Sequence, residues 1–397
     1  MFFTHILLFN IQTTLLSLQG VLLNILLGMH TPQMGYGQKK YYCPMNNNEL
    51  LSKTISFLRL PLIIGVVLIH SRVGTSYIAE GSFPIYNTIS HIISNILARV
   101  AVPCFFIFSG YFFFRNGGAF TPASYQEKLL KRSRTILLPY ILWNLAVMAL
   151  FLLSEPFTKG LVLESRKLVS DYSLVEVVQA FWNLNDGFPI CYQLWFIRDL
   201  MVIMLLSPLI YWALQAMKHY FLIIVGALWL TGWSLHIDAL STTALLYFSA
   251  GAYFGITKQN FVAIAKRIVW PALTIYTLMA LADVLFLTES WHWYINRAAI
   301  PAGIITTIGL SARFVESNRW QALPHLAGIG FFMYAFHGMP LTLTTKLAFR
   351  YFNPQGDMAI LGLYFLCPLV VLCIGFTLYY LIARYLPRLM SLITGGR

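Results

Sequence analysis

Six places in this sequence set an ionisable group inside an apolar run: Arg59 with His70, Arg99, Arg134, the adjacent Arg198 and Asp199, Asp283, and His337. Such groups cost several kcal/mol in hydrocarbon unless they face a protein interior or water, so they are where chemistry is sought first. Arg59 and His70 are eleven positions apart. On an α-helix, at ~100° and ~1.5 Å per residue, that brings them within about 20° of one face and ~16 Å apart in height. A guanidinium at one mouth of such a helix can hold phosphate through bidentate hydrogen bonds. An imidazole deeper along it can take a proton from a hydroxyl near neutral pH. A lone buried histidine is usually a packing residue; the shared face with Arg59 favours function for His70.

The other positions are less specific. In Arg99-Val-Ala-Val-Pro103-Cys-Phe-Phe-Ile-Phe-Ser109-Gly110-Tyr111 a proline kink precedes a small-residue pair, and Ser109 and Gly110 would admit a second backbone or a ligand. Arg134-Thr-Ile-Leu-Leu-Pro139-Tyr140-Ile-Leu-Trp143 reads as a cytoplasmic anchor leading into an aromatic helix. In Leu194-Trp195-Phe196-Ile197-Arg198-Asp199 the two charges could compensate each other. Adjacent helical side chains point about 100° apart, however, so each is expected to find its partner on another helix. His337, before Gly338, is a second candidate imidazole suited to orienting a substrate, and Asp283 is expected to pair with an arginine.

The elements that must position these residues are transmembrane helices. Of 397 residues 58% are apolar and 10% charged, against roughly 25% charged in a soluble domain. The apolar residues fall in blocks long enough to cross ~30 Å of hydrocarbon. The fold class is therefore all-α, a polytopic bundle of ten spans at 56–71, 95–114, 135–153, 191–213, 220–235, 241–256, 268–288, 297–311, 326–346 and 358–383. Arg115, Lys128, Lys131, Arg132 and Arg134 crowd one loop and mark it cytoplasmic. Alternation then places Lys258, Lys266, Arg267, Arg384, Arg388 and Arg397 on the same side, with both termini cytoplasmic. The 154–190 loop, rich in Glu155, Glu164, Asp171, Glu176 and Asp186, falls outside, either capping an external site or connecting two helices in solvent.

Residues 1–44 form an apolar extension laced with amides and hydroxyls. It is an eleventh span, a signal peptide lacking the usual basic start, or a stretch preceding a true start at Met45, the reading favoured here; 45–397 is the functional domain. The net charge of +13 is spread over helix ends, the pattern of a membrane protein and not of a nucleic-acid binder. Five cysteines show no metal-type spacing, and no metal is expected. There is no Walker A or dinucleotide loop, which removes support for an ATP-driven pump or a nicotinamide enzyme. A secondary transporter or exporter of envelope precursors would also use buried charges, but no internal repeat is seen. A receptor or scaffold would not need Arg59 and His70 on one face.

The ordered motifs are Arg, ten residues, His; Arg-Val-x-Val-Pro-x-Phe-Phe-x-x-Ser-Gly-Tyr-x-Phe; Arg-x-x-Leu-Leu-Pro-Tyr-x-x-Trp; Leu-Trp-Phe-x-Arg; and a late Phe-His-Gly. From about Asn46 to Arg388 this order resembles the membrane-bound acyltransferase family 3. The resemblance implies transfer of an acetyl, or sometimes succinyl, group from a cytoplasmic acyl-CoA to a hydroxyl of a cell-envelope glycan or lipid-linked saccharide. It implies a bacterial inner-membrane enzyme whose acyl-CoA is a substrate, with no permanently bound cofactor. His70 would be the catalytic base. Arg59 would bind the coenzyme A phosphates, with Arg99 and Arg134 grouped as further donor-side cations. Ser109, Tyr111, Trp195, Arg198, Asp199 and His337 are carried over as site candidates, and Arg198 or a tyrosine hydroxyl could stabilise the oxyanion.

Overall fold

A computed structural model describes residues 45–74, 77–78, 82–115, 120–158, 167–183, 187–234, 237–317 and 326–396. The readings of residues 1–44 lie outside the described residues, as do Lys159, Glu164, Arg166, Asp186 and Arg397. The chain is all-α. In order, the helices are α1 (Asn47–His70), α2 (Pro84–Arg115), α3 (Pro122–Pro156), α4 (Leu174–Gln179), α5 (Trp195–Leu205), α6 (Ser207–Met217), α7 (His219–Leu230), α8 (Thr242–Ile256), α9 (Phe261–Arg267), α10 (Val269–Leu285), α11 (His292–Glu316), α12 (Leu326–Phe336), α13 (Gly338–Phe352), α14 (Asp357–Tyr385) and α15 (Pro387–Thr394).

Five of these, α1, α2, α3, α11 and α14, are long and apolar enough to cross a membrane, and the bent pairs α5–α6 and α9–α10 raise the number to seven. The remaining expected spans, 220–235, 241–256 and 326–346, form the shorter helices α7, α8 and the α12–α13 succession. Among the described residues, length and composition thus give five to seven spans, and the expected ten include the shorter helices. The 62° bend between α5 and α6 falls at Leu206, before Pro208, and the 73° bend between α9 and α10 falls at Ile268. Pro271 cannot donate to the Arg267 carbonyl and crowds it, which accounts for the second. Large apolar side chains such as Leu150, Leu153, Leu209, Trp212, Leu278 and Leu369 point outward. In water such a surface would aggregate; in lipid it is the solvated face.

Prolines also shape α2 and α3. Six residues, Ile92–Leu97, are wound as a π-helix, followed by a 3₁₀ turn at Ala98–Val100, and Ser133–Leu137 is a second π-helical stretch. Pro103 and Pro139 stand just after them, each lacking the N–H that its preceding turn requires. These irregular turns are local answers to that missing donor; the 3₁₀ turn carries Arg99 and the second π-helical stretch carries Arg134. Further along α2, Gly110 meets α8 backbone to backbone. A Cβ on Gly110 would lie 2.1 Å from the Phe248 carbonyl oxygen, and one on Gly251 would lie 2.0 Å from that of Ile107. The small residue after Ser109 therefore serves close helix packing.

Two ends of the bundle can be told apart. At one, Asn260 donates to the Asn47 carbonyl (2.7 Å), Arg115 to Asn48 (3.2 Å), and Lys266 pairs with Glu316 (2.5 Å). This end gathers the cations read from the sequence as cytoplasmic. At the other, Asp357 accepts from the Tyr86 N–H (2.7 Å) and Asn183 bonds Asp238 (2.6 Å). The 167–183 stretch is tied down here: Glu155 receives the backbone N–H groups of Val169 and Ser170, and Glu176 closes a capping box with Ser173 while binding Lys167. These acids are engaged locally.

Candidate active site

α1 delivers His70 as its last residue. Its end is held by Ser94, whose hydroxyl donates to the Leu68 carbonyl (2.8 Å) and meets the Tyr364 hydroxyl (2.9 Å). The His70 ring lies 5.4 Å, centroid to centroid, from the ring of His337 and 5.4 Å from that of Tyr192. The sequence offered the two histidines as separate candidates; the fold makes them neighbours. Neither nitrogen of His70 has a hydrogen-bond partner among the described residues, although the side chain is half-buried within protein and not turned to lipid.

His337 sits at the junction of α12 and α13, fully buried. Its Nδ1 faces only carbonyl oxygens, those of Tyr334 (2.8 Å) and Met333 (3.2 Å). Carbonyls only accept, so Nδ1 must carry the proton and Nε2 must present a lone pair. That Nε2 is buried and without a partner among the described residues. A buried polar atom left unpaired costs ~1–3 kcal/mol, and such atoms cluster where a ligand completes the set. A second orphan adjoins it. Gln193 donates through Nε2 to the Ala335 carbonyl (2.7 Å), its own carbonyl accepts the Tyr334 hydroxyl, and its Oε1 is left bare. A Cβ on Gly338 would lie 2.3 Å from that oxygen, which explains the glycine after His337. Sequence reasoning passed over Tyr192 and Gln193; Cys191-Tyr-Gln carries no ionisable signal, and only the fold sets these residues beside the imidazoles.

Arg99 projects from the 3₁₀ turn of α2. It is surrounded by protein yet keeps an open surface, acts electrostatically on His70 and on Arg297, and has neither ion pair nor hydrogen bond among the described residues. Arg59, one stretch down α1, is half-buried and likewise without a partner among them. Two unpaired guanidinium groups, Arg59 half-buried and Arg99 with open surface, suit an anion.

The remaining candidates separate from this centre. Arg198 and Asp199, expected to find partners on other helices, bond each other (3.0 Å), and the guanidinium also donates to the carbonyls of Trp182 (2.5 Å) and Gly187 (2.7 Å). With four of its five N–H groups engaged, Arg198 ties the Trp182 and Gly187 carbonyls onto α5 and is ill placed to bind an oxyanion. Helical neighbours can pair in this way because the long guanidinium folds back along its own helix, a reach that the 100° step does not capture. Asp283 pairs with His91 and His292 and not with an arginine. Tyr111 is buried against Phe261 (5.0 Å) under Arg115 at the basic end, with Ser109 half a turn away on the same helix. Arg134 is exposed at that end. Trp195 is half-buried against the core. Tyr140 donates to the Phe181 carbonyl, and Trp143 to that of Ile393 (3.0 Å), so that motif fastens α3 to its neighbours. An apolar groove of about 470 Å³ lined by Leu278, Met279, Ala282, Tyr294, Ile295 and Ala298 lies elsewhere, between α10 and α11, and holds no group suited to acyl chemistry.

The fold and this centre define a multi-pass membrane protein with two facing imidazoles and unpaired internal cations. Residues 53–391 match the family described as acyltransferase domain, and the chain belongs to that family: it is a membrane acyltransferase. It is 26% identical over 362 residues, covering 87% of this chain and 93% of the relative, to the succinoglycan biosynthesis protein ExoH of Rhizobium meliloti strain 1021. No solved structure matches it.

Proposed function

We propose that the protein moves an acyl group, acetyl or succinyl, from a cytoplasmic acyl-CoA to a hydroxyl of a cell-envelope glycan or lipid-linked saccharide in the bacterial inner membrane. One observation carries this reading: a half-buried His70 faces a His337 whose Nε2 is an unpartnered acceptor, beside the unpaired Arg99. In the step envisaged, His70 removes the acceptor hydroxyl proton as the oxygen attacks the thioester carbonyl. The C–S bond then breaks, and the imidazolium returns the proton to the departing thiolate. His337 Nε2, its tautomer fixed, accepts a hydrogen bond from a neighbouring acceptor hydroxyl and orients it. The Tyr192 hydroxyl replaces Arg198 as candidate for stabilising the tetrahedral oxyanion. Arg59 and Arg99 hold the phosphates of the donor, whose several negative charges cannot enter lipid unaccompanied. The saccharide acceptor is supported by the likeness to a protein of succinoglycan biosynthesis.

The test is transfer of radiolabelled acyl from acetyl-CoA and from succinyl-CoA by purified protein in detergent, together with mass spectrometry of envelope glycans from cells with and without the gene. An acyl mass difference names the donor group and the acceptor. Unchanged glycans and no transfer from either thioester would refute the proposal.

A further inference from the structure

Away from this centre, three helices bring together a cluster that the sequence does not announce. His91 on α2, Asp283 on α10 and His292 in the first turn of α11 are separated by 192 and 9 positions, yet their ligating atoms all lie within 4.8 Å of one another. His91 Nε2 is 2.7 Å from Asp283 Oδ2, and His292 Nδ1 is 3.1 Å from Asp283 Oδ1. The side chains of His91 and Asp283 are 4% and 1% exposed, whereas that of His292 is 27% exposed. Among the described residues no lysine or arginine pairs with Asp283, so with neutral imidazoles the cluster is a buried anion lacking a countercharge.

We infer that His91, Asp283 and His292 bind a divalent transition metal, Zn²⁺ in the first instance, through two imidazole nitrogens and one carboxylate oxygen. Two nitrogens and an oxygen are a common zinc set, with a fourth position left for water. The open side of His292 supplies that position. At metal–ligand distances of ~2.0–2.2 Å, tetrahedral ligand atoms stand ~3.3–3.5 Å apart. The two histidines now meet different oxygens of Asp283, at 2.7 and 3.1 Å, so on a single ligating oxygen one short pair opens by roughly 0.2–0.8 Å while the carboxylate turns and the two nitrogens draw together, a change within reach of side-chain rotation.

The surroundings have the form of an outer shell. Asn95 lies 3.0 Å from His91 Nδ1, and with its amide turned over, its oxygen would accept Nδ1–H and leave Nε2 free for the ion. Asn296 donates to Asp283 Oδ2 (3.1 Å) and to the Asn95 carbonyl (3.0 Å), fixing the carboxylate. The ion would staple α2, α10 and α11 together two turns along α2 from Arg99.

The full-length protein in detergent, stripped with chelator and dialysed, is titrated with ZnCl₂ by calorimetry, and with CoCl₂ by visible spectroscopy. The wild type should take up one tightly bound ion, unfold at higher temperature with it, and show the ligand-field bands of four-coordinate Co²⁺. Asp283→Asn and His292→Ala should each weaken binding at least about 10-fold and lose those bands. Should Asp283→Asn not fold, the partly exposed His292→Ala and the wild-type spectrum still decide. Absence of stoichiometric uptake by the wild type overturns the proposal, as does a Co²⁺ spectrum unaltered in His292→Ala, which would put the ion on other histidines.

Discussion

Arg198 and Arg99 are both arginines set within helices of the same bundle, and they are treated in opposite ways. Arg198 has Asp199 and two loop carbonyls around it, with the Trp182 ring 5.8 Å from its guanidinium. Four of its five N–H groups are already engaged, and its effect is to hold the loop across the end of the bundle opposite the basic one. Arg99 has no such partners among the described residues, retains open surface and acts on His70. The difference teaches that an internal charge in a membrane protein is informative only with its partners: a satisfied one belongs to the scaffold, and an unsatisfied one is held in readiness for an anion.

The comparison can be sharpened by substitution, beginning with the imidazole beside Arg99. His70→Ala should lower transfer about 10²- to 10⁴-fold at unchanged membrane abundance, measured by radiolabel transfer and immunoblot, as expected for loss of general base catalysis. Undiminished transfer by that variant would remove the mechanism. Arg198→Met strands Asp199 in the interior and should destabilise the protein by about 3–5 kcal/mol, seen as lost abundance and a lowered unfolding temperature. Arg99→Met should leave stability unchanged or slightly raised while weakening donor affinity about 10- to 100-fold in equilibrium binding of acyl-CoA. If Arg198→Met were the stable variant and Arg99→Met the unstable one, the contrast drawn between them would be reversed.

Gly251→Leu should cost roughly 1–3 kcal/mol or more by forcing α2 and α8 apart, since even its Cβ would meet the Ile107 carbonyl. The smallest effect belongs to the loop that carries Glu176. Lys167 and Ser173 hold the exposed Glu176 carboxyl down at about 2, from an ordinary 4.5. A depressed carboxylate contributes above its unfolded value and loses that contribution as pH falls from about 4.5 towards 2. Lys167→Ala should therefore leave transfer within about 2-fold at neutral pH, and any change in unfolding temperature should fade on acidification through that window.

The sequence by itself determined the solvent, the helical class, the basic end and the placing of Arg59 and His70 on one helix, because each rests on composition or on spacing within one helix. Apolar blocks of spanning length have few alternatives in lipid, and eleven residues of helix fix two side chains on one face without help from the rest of the chain. It could also name His337 and Arg99 as intramembrane polar groups. What only the tertiary structure decided is which of these meet. His70 and His337 stand 267 positions apart, Tyr192 and Gln193 carry no charge to betray them, and Asp283 chose two histidines from other helices over any arginine. Contacts between helices depend on the bends at Leu206 and Ile268 and on the turns widened before Pro103 and Pro139, and these set relative positions that no periodicity within a single segment contains.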